Sequence, residues 1–417
     1  MRILYTIGIY LYTFGVRIAA LCGHRNARLM VTGWKQWPQA VAKLRHDKPV
    51  AWFHAASLGE FEQARPVLEE YRRRHPDHQV FVSFFSPSGY EVRKSYSQAD
   101  VVCYLPMDTP RNARRLTAAV NPDKVFFVKY EFWYNYLATL NKRHAHTYIF
   151  SAIFRPGQYF FCWYGGWFCR QLKECFAHLF VQNEESLQLL QSHGVGQCSI
   201  AGDTRFDRVH QIALAAELDE VADAFLRGHE GPVLVCGSTW PPDERLIAEA
   251  RSEANESFPQ RIILAPHVIS EEHLKQIETL FPDSIRYSTL KHSTLPPPSP
   301  CTTLIVDNIG ILSKLYRYAT VAYIGGGFGV GIHNILEAVT FGKPVFFGPN
   351  YHKFQEARDI IACGGGWSVD ATPASLLTPL SALLFRADTF ANASQACTDY
   401  MQHNLGSTEK ILSIVEK

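Results

Sequence analysis

Short apolar runs alternate with helix-length amphipathic stretches along this chain, and the rhythm occurs twice. The first series comprises Val50 to Ala56 (VAWFHAA), Val80 to Phe85, Val101 to Leu105, Val125 to Val128, Tyr148 to Ala152 and Leu179 to Gln182, with Glu60 to Arg74 reading as a helix. After a polar helical stretch over 209 to 230 and breaks at Gly228 and Gly231-Pro232, a second series begins: Val233 to Cys236, Arg261 to Ala265, Thr303 to Val306, Val321 to Ile324 and Pro344 to Phe347. Runs apolar on both faces belong to parallel strands covered by helices. A chain of 417 residues exceeds one ordinary core and suits two. The expected fold is α/β, with two Rossmann-like domains facing a cleft, a usual place for a ligand. The boundary falls at 208/209, giving an N-terminal α/β domain over 23 to 208 and a C-terminal one over 209 to 417, whose last helix can return to the first domain. The stretch Ser293 to Pro300 (STLPPPSP) reads as a surface loop inside the second half.

Residues 1 to 22 stand apart. Residues 3 to 22 are apolar and aromatic, interrupted only by Arg17, and roughly 20 residues suffice to cross a bilayer as a helix. Arg25, Arg28 and Lys35 follow, so the positive-inside rule puts the body of the protein in the cytoplasm, on an uncleaved membrane anchor. A full span and a helix lying in the interface both fit, since Arg17 opposes the first and the tyrosines suit the second. A formal net charge of +2 argues against a dedicated nucleic-acid binder. The clusters Arg72-Arg73-Arg74 and Arg114-Arg115 read as solvated helix faces, with anionic lipid as the alternative. The ten cysteines form neither a zinc framework nor a secreted disulfide pattern. The stretch FCWYGGWFC, with Cys162 and Cys169, reads as packing together with Cys175.

Five segments carry chemistry. Val321 to Pro349 reads as strand, glycine-rich loop, helix, turn and strand. Glycines at 325, 326, 327, 329 and 331 allow close backbone approach, and a helix over Asn334 to Phe341 points its N-terminus at the same place, a ready anion site. Neither the dinucleotide fingerprint nor the Walker A spacing fits. His54 to Gln63 (HAASLGEFEQ) puts Ser57, Gly59 and Glu60 where a strand becomes a helix. A capping box of Ser57 and Glu60 explains this segment as well as a catalytic carboxylate does. Gly202 to Asp207 (GDTRFD) offers Arg205 to a phosphate, or is a surface arginine between two aspartates. Ser238-Thr239 and Pro266-His267 are further turns at strand ends.

Taken together and in order, these segments resemble the bacterial Kdo (3-deoxy-D-manno-octulosonic acid) transferases of lipopolysaccharide synthesis, glycosyltransferases of GT-B architecture. The family's H-x-x-S-x-G-E is His54 to Glu60, its E-x-W lies in Glu131-Phe132-Trp133, and its N-E-E is Asn183 to Glu185. Its G-x-x-[KR]-F-D is Gly202 to Asp207, its S-T turn is Ser238-Thr239, and its G-H-N-x-L-E and G-K-P-V-x-x-G-P are Ile332 to Glu337 and Gly342 to Pro349. The resemblance implies CMP-Kdo as donor and a lipid A precursor, lipid IVA, as acceptor at the cytoplasmic face of the inner membrane. It places Glu60 as general base and Arg205 in transition-state stabilisation. Lys129 falls on a position with the latter role, where many members carry an acidic residue. Nucleotide contacts fall on Pro266, His267, Ile309, Gly310, Ile311, Asn334, Ile335, Leu336 and Glu337. The chain lacks the usual Arg after Pro266, has Ile311 where many members have Glu, and has Ile332 in place of a Gly.

The implied reaction is a single inverting displacement, with Glu60 accepting the proton of the acceptor's primary hydroxyl. The leaving phosphate is met by the helix beginning near Asn334 and by Arg205. A donor with one phosphate needs no metal clamp, and no metal or other cofactor is expected. A GT-B enzyme acting on a UDP-sugar and a non-catalytic membrane-bound sensor are the alternatives.

Overall fold

Strands apolar on both faces pair side by side and bury each face beneath helices. The computed structural model describes residues 1–254, 258–293 and 301–417, so the Pro-rich stretch lies, beyond Ser293, outside the described residues. The chain divides into two compact units, residues 1–208 with 405–417, and residues 209–404. Each holds a seven-stranded sheet in which the recorded pairings are parallel.

The first sheet contains β1 (Val50–Ala55), β2 (Gln79–Phe84), β3 (Val101–Tyr104), β4 (Lys124–Val128), β5 (His146–Ala152), β6 (His178–Val181) and β7 (Cys198–Ile200), in the order β3-β2-β1-β4-β5-β6-β7. Successive side chains of a strand point to opposite faces. Trp52 and Phe127 therefore enter one core layer, while Phe53 and Phe126 enter the other, their rings stacked 4.4 Å apart. The second sheet contains β8 (Val233–Thr239), β9 (Arg261–Pro266), β10 (Ser284–Arg286), β11 (Thr303–Ile305), β12 (Val321–Ile324), β13 (Val345–Phe347) and β14 (Gly366–Ser368), in the order β10-β11-β9-β8-β12-β13-β14.

Two helices precede the first sheet. Helix α1 (Arg2–Leu21) turns at Gly23, whose φ is +96°, into helix α2 (Arg25–Val41). Helix α2 buries Ala27, Met30, Trp37 and Val41. Gly33 permits its approach to the sheet, because a Cβ there would come within 2.0 Å of the Tyr104 ring. Helix α1 buries only Thr13. Ile3, Leu4, Ile7, Leu11, Phe14 and Leu21 remain exposed. Among the described residues it alone is long and apolar enough to cross a membrane, by length and composition. Polar contacts tether its first turns to the helix Tyr134–Lys142 and to the loop after β3. Arg2 Nε donates to Asn135 Oδ1 at 3.1 Å, and the Tyr5 hydroxyl donates to the buried Asp108 at 2.7 Å. Burial pushes the Asp108 carboxyl up to about 6, against the opposing pull of the Asn135 N–H, the Tyr5 hydroxyl and the Tyr136 N–H.

The last helix, Ser407–Val415, belongs to the first unit. It inserts Ile411, Leu412 and Val415 into the layer containing Phe53. Asp207 fixes its start, with Oδ1 accepting from the Gly406 N–H at 2.8 Å and Oδ2 from the Thr408 N–H at 2.6 Å. Asp207→Ala leaves both N–H groups without that acceptor. Loss of such a cap costs about 0.5–2 kcal/mol. The urea midpoint should fall, and amide exchange over Ser407–Val415 should quicken while β8 and β9 keep their protection. Unchanged exchange over Ser407–Val415 would mean that apolar contacts alone hold the helix.

Candidate active site

Parallel sheets bind ligands beyond the carboxyl ends of their strands, where the winding direction reverses. In the first sheet that point lies between β1 and β4; in the second it lies between β8 and β12. Glu60 follows β1 and Lys129 follows β4. The Ser238–Trp240 turn ends β8, and the glycine-rich loop follows β12.

Ser57 is the N-cap residue of helix α3 (Leu58–Arg74), yet its side chain makes no cap bond to the backbone. Its hydroxyl donates instead to Glu60 Oε2. The reciprocal capping box is therefore not formed, and the half-buried Glu60 carboxylate is held by a hydroxyl in the first turn of α3. Beside it runs a buried relay that sequence reasoning did not assemble. A tryptophan N–H only donates and an ionised carboxylate only accepts. Trp52 Nε1 gives its hydrogen to Ser83 Oγ at 2.7 Å, His54 Nδ1 lies 2.8 Å from that hydroxyl and 3.0 Å from the Ser83 carbonyl oxygen, and His54 Nε2 lies 3.2 Å from Glu131 Oε2 and 3.1 Å from Trp133 Nε1. Trp133 Nε1 donates to the same carboxylate oxygen at 2.6 Å. The motif residues His54, Glu131 and Trp133 thus form one unit, with Ser83 of β2 as the member carrying no signal of its own.

Lys129 has φ +57°, a conformation uncommon for a residue with a Cβ and often found at functional sites. Its N–H donates to the Phe150 carbonyl at 3.0 Å, which fixes the turn that carries Glu131. Arg205 is pinned by Asp203, which accepts its backbone N–H at 2.9 Å and its Nε at 2.8 Å. Asp203 also accepts from Gln63 Nε2 at 2.9 Å, and the Thr204 hydroxyl donates to the Gln63 carbonyl at 2.7 Å. Gln63 follows Glu60 by three residues on α3, so the GDTRFD segment is clamped to the helix that presents Glu60.

In the second unit, Ser238–Trp240, Pro266-His267, Ile309–Ile311 and the glycine-rich loop follow β8, β9, β11 and β12, neighbours in the sheet. Three side chains meet there. His267 stacks on Trp240 at 4.8 Å and on His333 at 4.4 Å, and Trp240 Nε1 lies 3.2 Å from His333 Nε2. The indole can only donate, so His333 Nε2 accepts and its Nδ1 carries the hydrogen. Burial, with His267 adding to it, holds the His333 imidazole below its ordinary value. Asp243, unnoticed in the sequence although it opens a helix, accepts from the Trp240 N–H at 2.9 Å, the Gly326 N–H at 3.0 Å and the Tyr323 hydroxyl at 3.0 Å. It thereby ties the β8 turn to the glycine-rich loop.

Several expectations for this loop are corrected. The helix expected over Asn334 to Phe341 is only Leu336–Val339. Asn334 bends its Oδ1 onto the Leu336 N–H at 3.2 Å, and Gly342 at φ +67° ends the turn. Four residues carry little macrodipole, so that dipole is not the anion-binding element. Glycine is required partly for packing. A Cβ at Gly325 would sit 2.3 Å from the Ser238 carbonyl oxygen, and one at Gly327 would sit 2.5 Å from the Gly348 backbone. The backbone donors remain. Among the described residues, the N–H groups of Gly327, Ile332 and Asn334 have no protein acceptor, so each can donate to a ligand oxygen. The side chains of Ile335 and Leu336 are core, both fully buried, so only their backbones are available to a ligand. Glu337 is partly buried; burial raises its carboxyl above the ordinary value, with the hydrogen bond from Asn334 opposing. Pro266 is buried, whereas His267 and Ile309 are exposed and Gly310 takes φ +89°.

Residues 32–208 match the model of the family described as 3-deoxy-D-manno-octulosonic-acid transferase (kdotransferase). A 3-deoxy-D-manno-octulosonic acid transferase of Aquifex aeolicus is 25% identical over 346 residues, covering 82% of this chain and 88% of the relative. One from Haemophilus influenzae is 23% identical, covering 88% and 86%. Over most of its length the chain is similar to Kdo transferases. Members of this family are glycosyltransferases. The fold is similar to a putative UDP-N-acetylglucosamine 2-epimerase from Listeria monocytogenes, with a TM-score of 0.62 at 12% identity covering 88% of this chain and 96% of that one. It is also similar to Acinetobacter baumannii MurG, with a TM-score of 0.55 at 12% identity covering 88% and 99%. These likenesses establish the GT-B class of fold.

Trp240→Phe keeps an aromatic ring on His267 and deletes the indole N–H. The His333 ring should then populate both tautomers, visible as a shift of its ring ¹⁵N resonances toward their mean, with the melting temperature near the parent's. An unchanged ¹⁵N pattern would show that Trp240 does not set the tautomer.

Proposed function

We propose that this chain transfers Kdo from CMP-Kdo to a primary hydroxyl of lipid IVA, the phosphorylated and acylated glucosamine disaccharide, with inversion at the anomeric carbon. The observation that carries this reading is the Glu60 carboxylate at the β1/β4 switch point, bonded by the Ser57 hydroxyl instead of serving as a cap partner. Glu60 takes the acceptor's proton as its oxygen forms a bond to the anomeric carbon. The bond from that carbon to the phosphate oxygen of CMP breaks, and the electron pair leaves with CMP. Arg205 and Lys129 supply positive charge that favours the developing negative charge. Asp203 orients Arg205, and the Trp52–Ser83–His54–Glu131 relay holds the loop next to Lys129.

The first unit, in this reading, binds the acceptor and the second binds the donor. Unpaired N–H groups of Gly327, Ile332 and Asn334, with His333 Nδ1–H, receive the phosphate. Glu337 accepts from the ribose hydroxyls. His267 and the Ile309–Ile311 loop contact the remainder of the nucleotide. Helix α1 attaches the enzyme to the cytoplasmic face of the inner membrane. Contacts at both ends of α1, Arg2 with Asn135 and the Ala20 carbonyl with Arg28, favour a helix lying along the interface over one crossing the bilayer.

Glu60→Gln separates catalysis from structure. General-base removal costs roughly 10²–10⁴ in rate, whereas Gln serves nearly as well as Glu beside an N-cap serine. Turnover with CMP-Kdo and lipid IVA should fall into that range. The melting temperature should stay near the parent's, and CMP should still protect the fold, since a ligand stabilises the state it binds. UMP and UDP should protect less. A variant keeping more than roughly a third of parental turnover, far outside that range, would remove Glu60 as the base. Equal protection by UDP would favour a UDP-sugar donor.

A further inference from the structure

Between α1, α2 and the loop after β3 lies a groove of about 980 Å³. Its lining joins four cationic side chains, Arg17, Arg28, Lys35 and Arg111, to the aromatic rings of Tyr10 and Phe14. All four cations are exposed, and among the described residues none is paired with a carboxylate. Arg28 alone has a protein acceptor, the Ala20 carbonyl at 3.0 Å from its Nε. The bias is regional, since residues 1 to 48 hold eight Lys and Arg against one acidic residue, Asp47. Other arginines of this unit are neutralised by carboxylates. Arg65, Arg93 and Arg208 surround Glu62, and Arg72 meets Asp100. Four like charges converging on one groove repel one another unless an anion enters.

Apolar surface accompanies the charge. Tyr10, Phe14 and Leu21 line the groove and also belong to the exposed face of α1. A ligand seated there can put a phosphate among the cations and run acyl chains onto the helix face. Arginine and lysine match phosphate oxygens, and basic pockets beside membrane helices recognise anionic headgroups. We infer that this groove binds the headgroup of an anionic phospholipid from the surrounding bilayer, making attachment selective for negatively charged membranes. The inference rests on α1 being the membrane-attached element and is independent of the sugar-transfer chemistry.

The test uses full-length protein, without donor, in flotation with vesicles of phosphatidylcholine alone or of phosphatidylcholine mixed with phosphatidylglycerol. One variant carries Arg17→Gln, Lys35→Gln and Arg111→Gln. A control of equal net charge carries Arg25→Gln, Lys43→Gln and Lys48→Gln, from the same region but outside the groove lining. The groove variant should lose roughly a hundredfold in partitioning to the anionic vesicles, the combined effect of three basic residues at a charged surface. The control should lose less than about tenfold, and both should match the parent on phosphatidylcholine. Native mass spectrometry should find one retained phosphatidylglycerol on the parent and none on the groove variant. Equal losses by groove and control variants would mean diffuse attraction and overturn the inference. Retention of lipid IVA but not phosphatidylglycerol would make the groove a substrate site and overturn it as well. Failure of the parent to bind either vesicle would instead refute attachment through α1.

Discussion

A strand that leaves a parallel sheet between neighbours wound in opposite directions opens a crevice at its carboxyl end. That constraint organises both halves of this protein. In the first sheet β1 is flanked by β2 and β4; in the second β8 is flanked by β9 and β12. Each reversal carries polar side chains immediately past the strand. Ser57, Glu60, Lys129 and Glu131 gather at the first, and Ser238, Trp240 and His333 at the second. Both places also carry a non-glycine residue of positive φ, Lys129 at the first and Ser238 at the second. Such conformations persist only when surrounding contacts over-determine them. The Phe150 carbonyl does so for the Lys129 turn, and the close approach of Ser238 to Gly325 does so for the other.

Polar groups buried near these crevices are costly unless every donor and acceptor is matched. Trp52, Ser83, His54 and Glu131 are linked in this way at the first sheet. In the second unit Glu244 accepts from the Thr239 hydroxyl at 2.9 Å and contacts His273 Nε2 at 2.9 Å. Burial raises the Glu244 carboxyl, and His273 pulls it back down. These contacts do not touch the proposed substrates. They fix the turns from which the proposed contact residues project, and such support makes a site geometrically definite.

The long central strands were legible in the sequence because strands buried on both faces have no polar register to blur them. The edge strands β7, β10 and β14 escaped notice. Each has three residues and is partly exposed, too short for a periodic signal. Helix α3 was legible, but the role of its first turn was not. Ser57 and Glu60 satisfy the spacing of a capping box, and only the geometry shows the hydroxyl turned onto the carboxylate. The helix after the glycine-rich loop was overestimated because Asn334 and Gly342 bracket an apolar stretch that reads as longer than the single turn formed. In FCWYGGWFC the packing expectation holds for Cys169, which is buried, while Trp163 is 96% exposed. A run of aromatics does not reveal which of its members face inward. Contacts far apart in sequence, such as Ser83 with His54 or Asp207 with Thr408, have no local signature at all.

Two α/β units, a carboxylate at one switch point, unpaired backbone N–H groups at the other and an apolar helix with a cationic groove form a consistent set for moving an acidic sugar onto a lipid. The most direct test of that account is mass spectrometry of lipid IVA incubated with the full-length protein and freshly prepared CMP-Kdo, with released CMP quantified in parallel. The account predicts acceptor heavier by whole Kdo residues, with one CMP released for each residue added. Unmodified acceptor and no CMP release, under conditions where CMP still protects the fold, would contradict it.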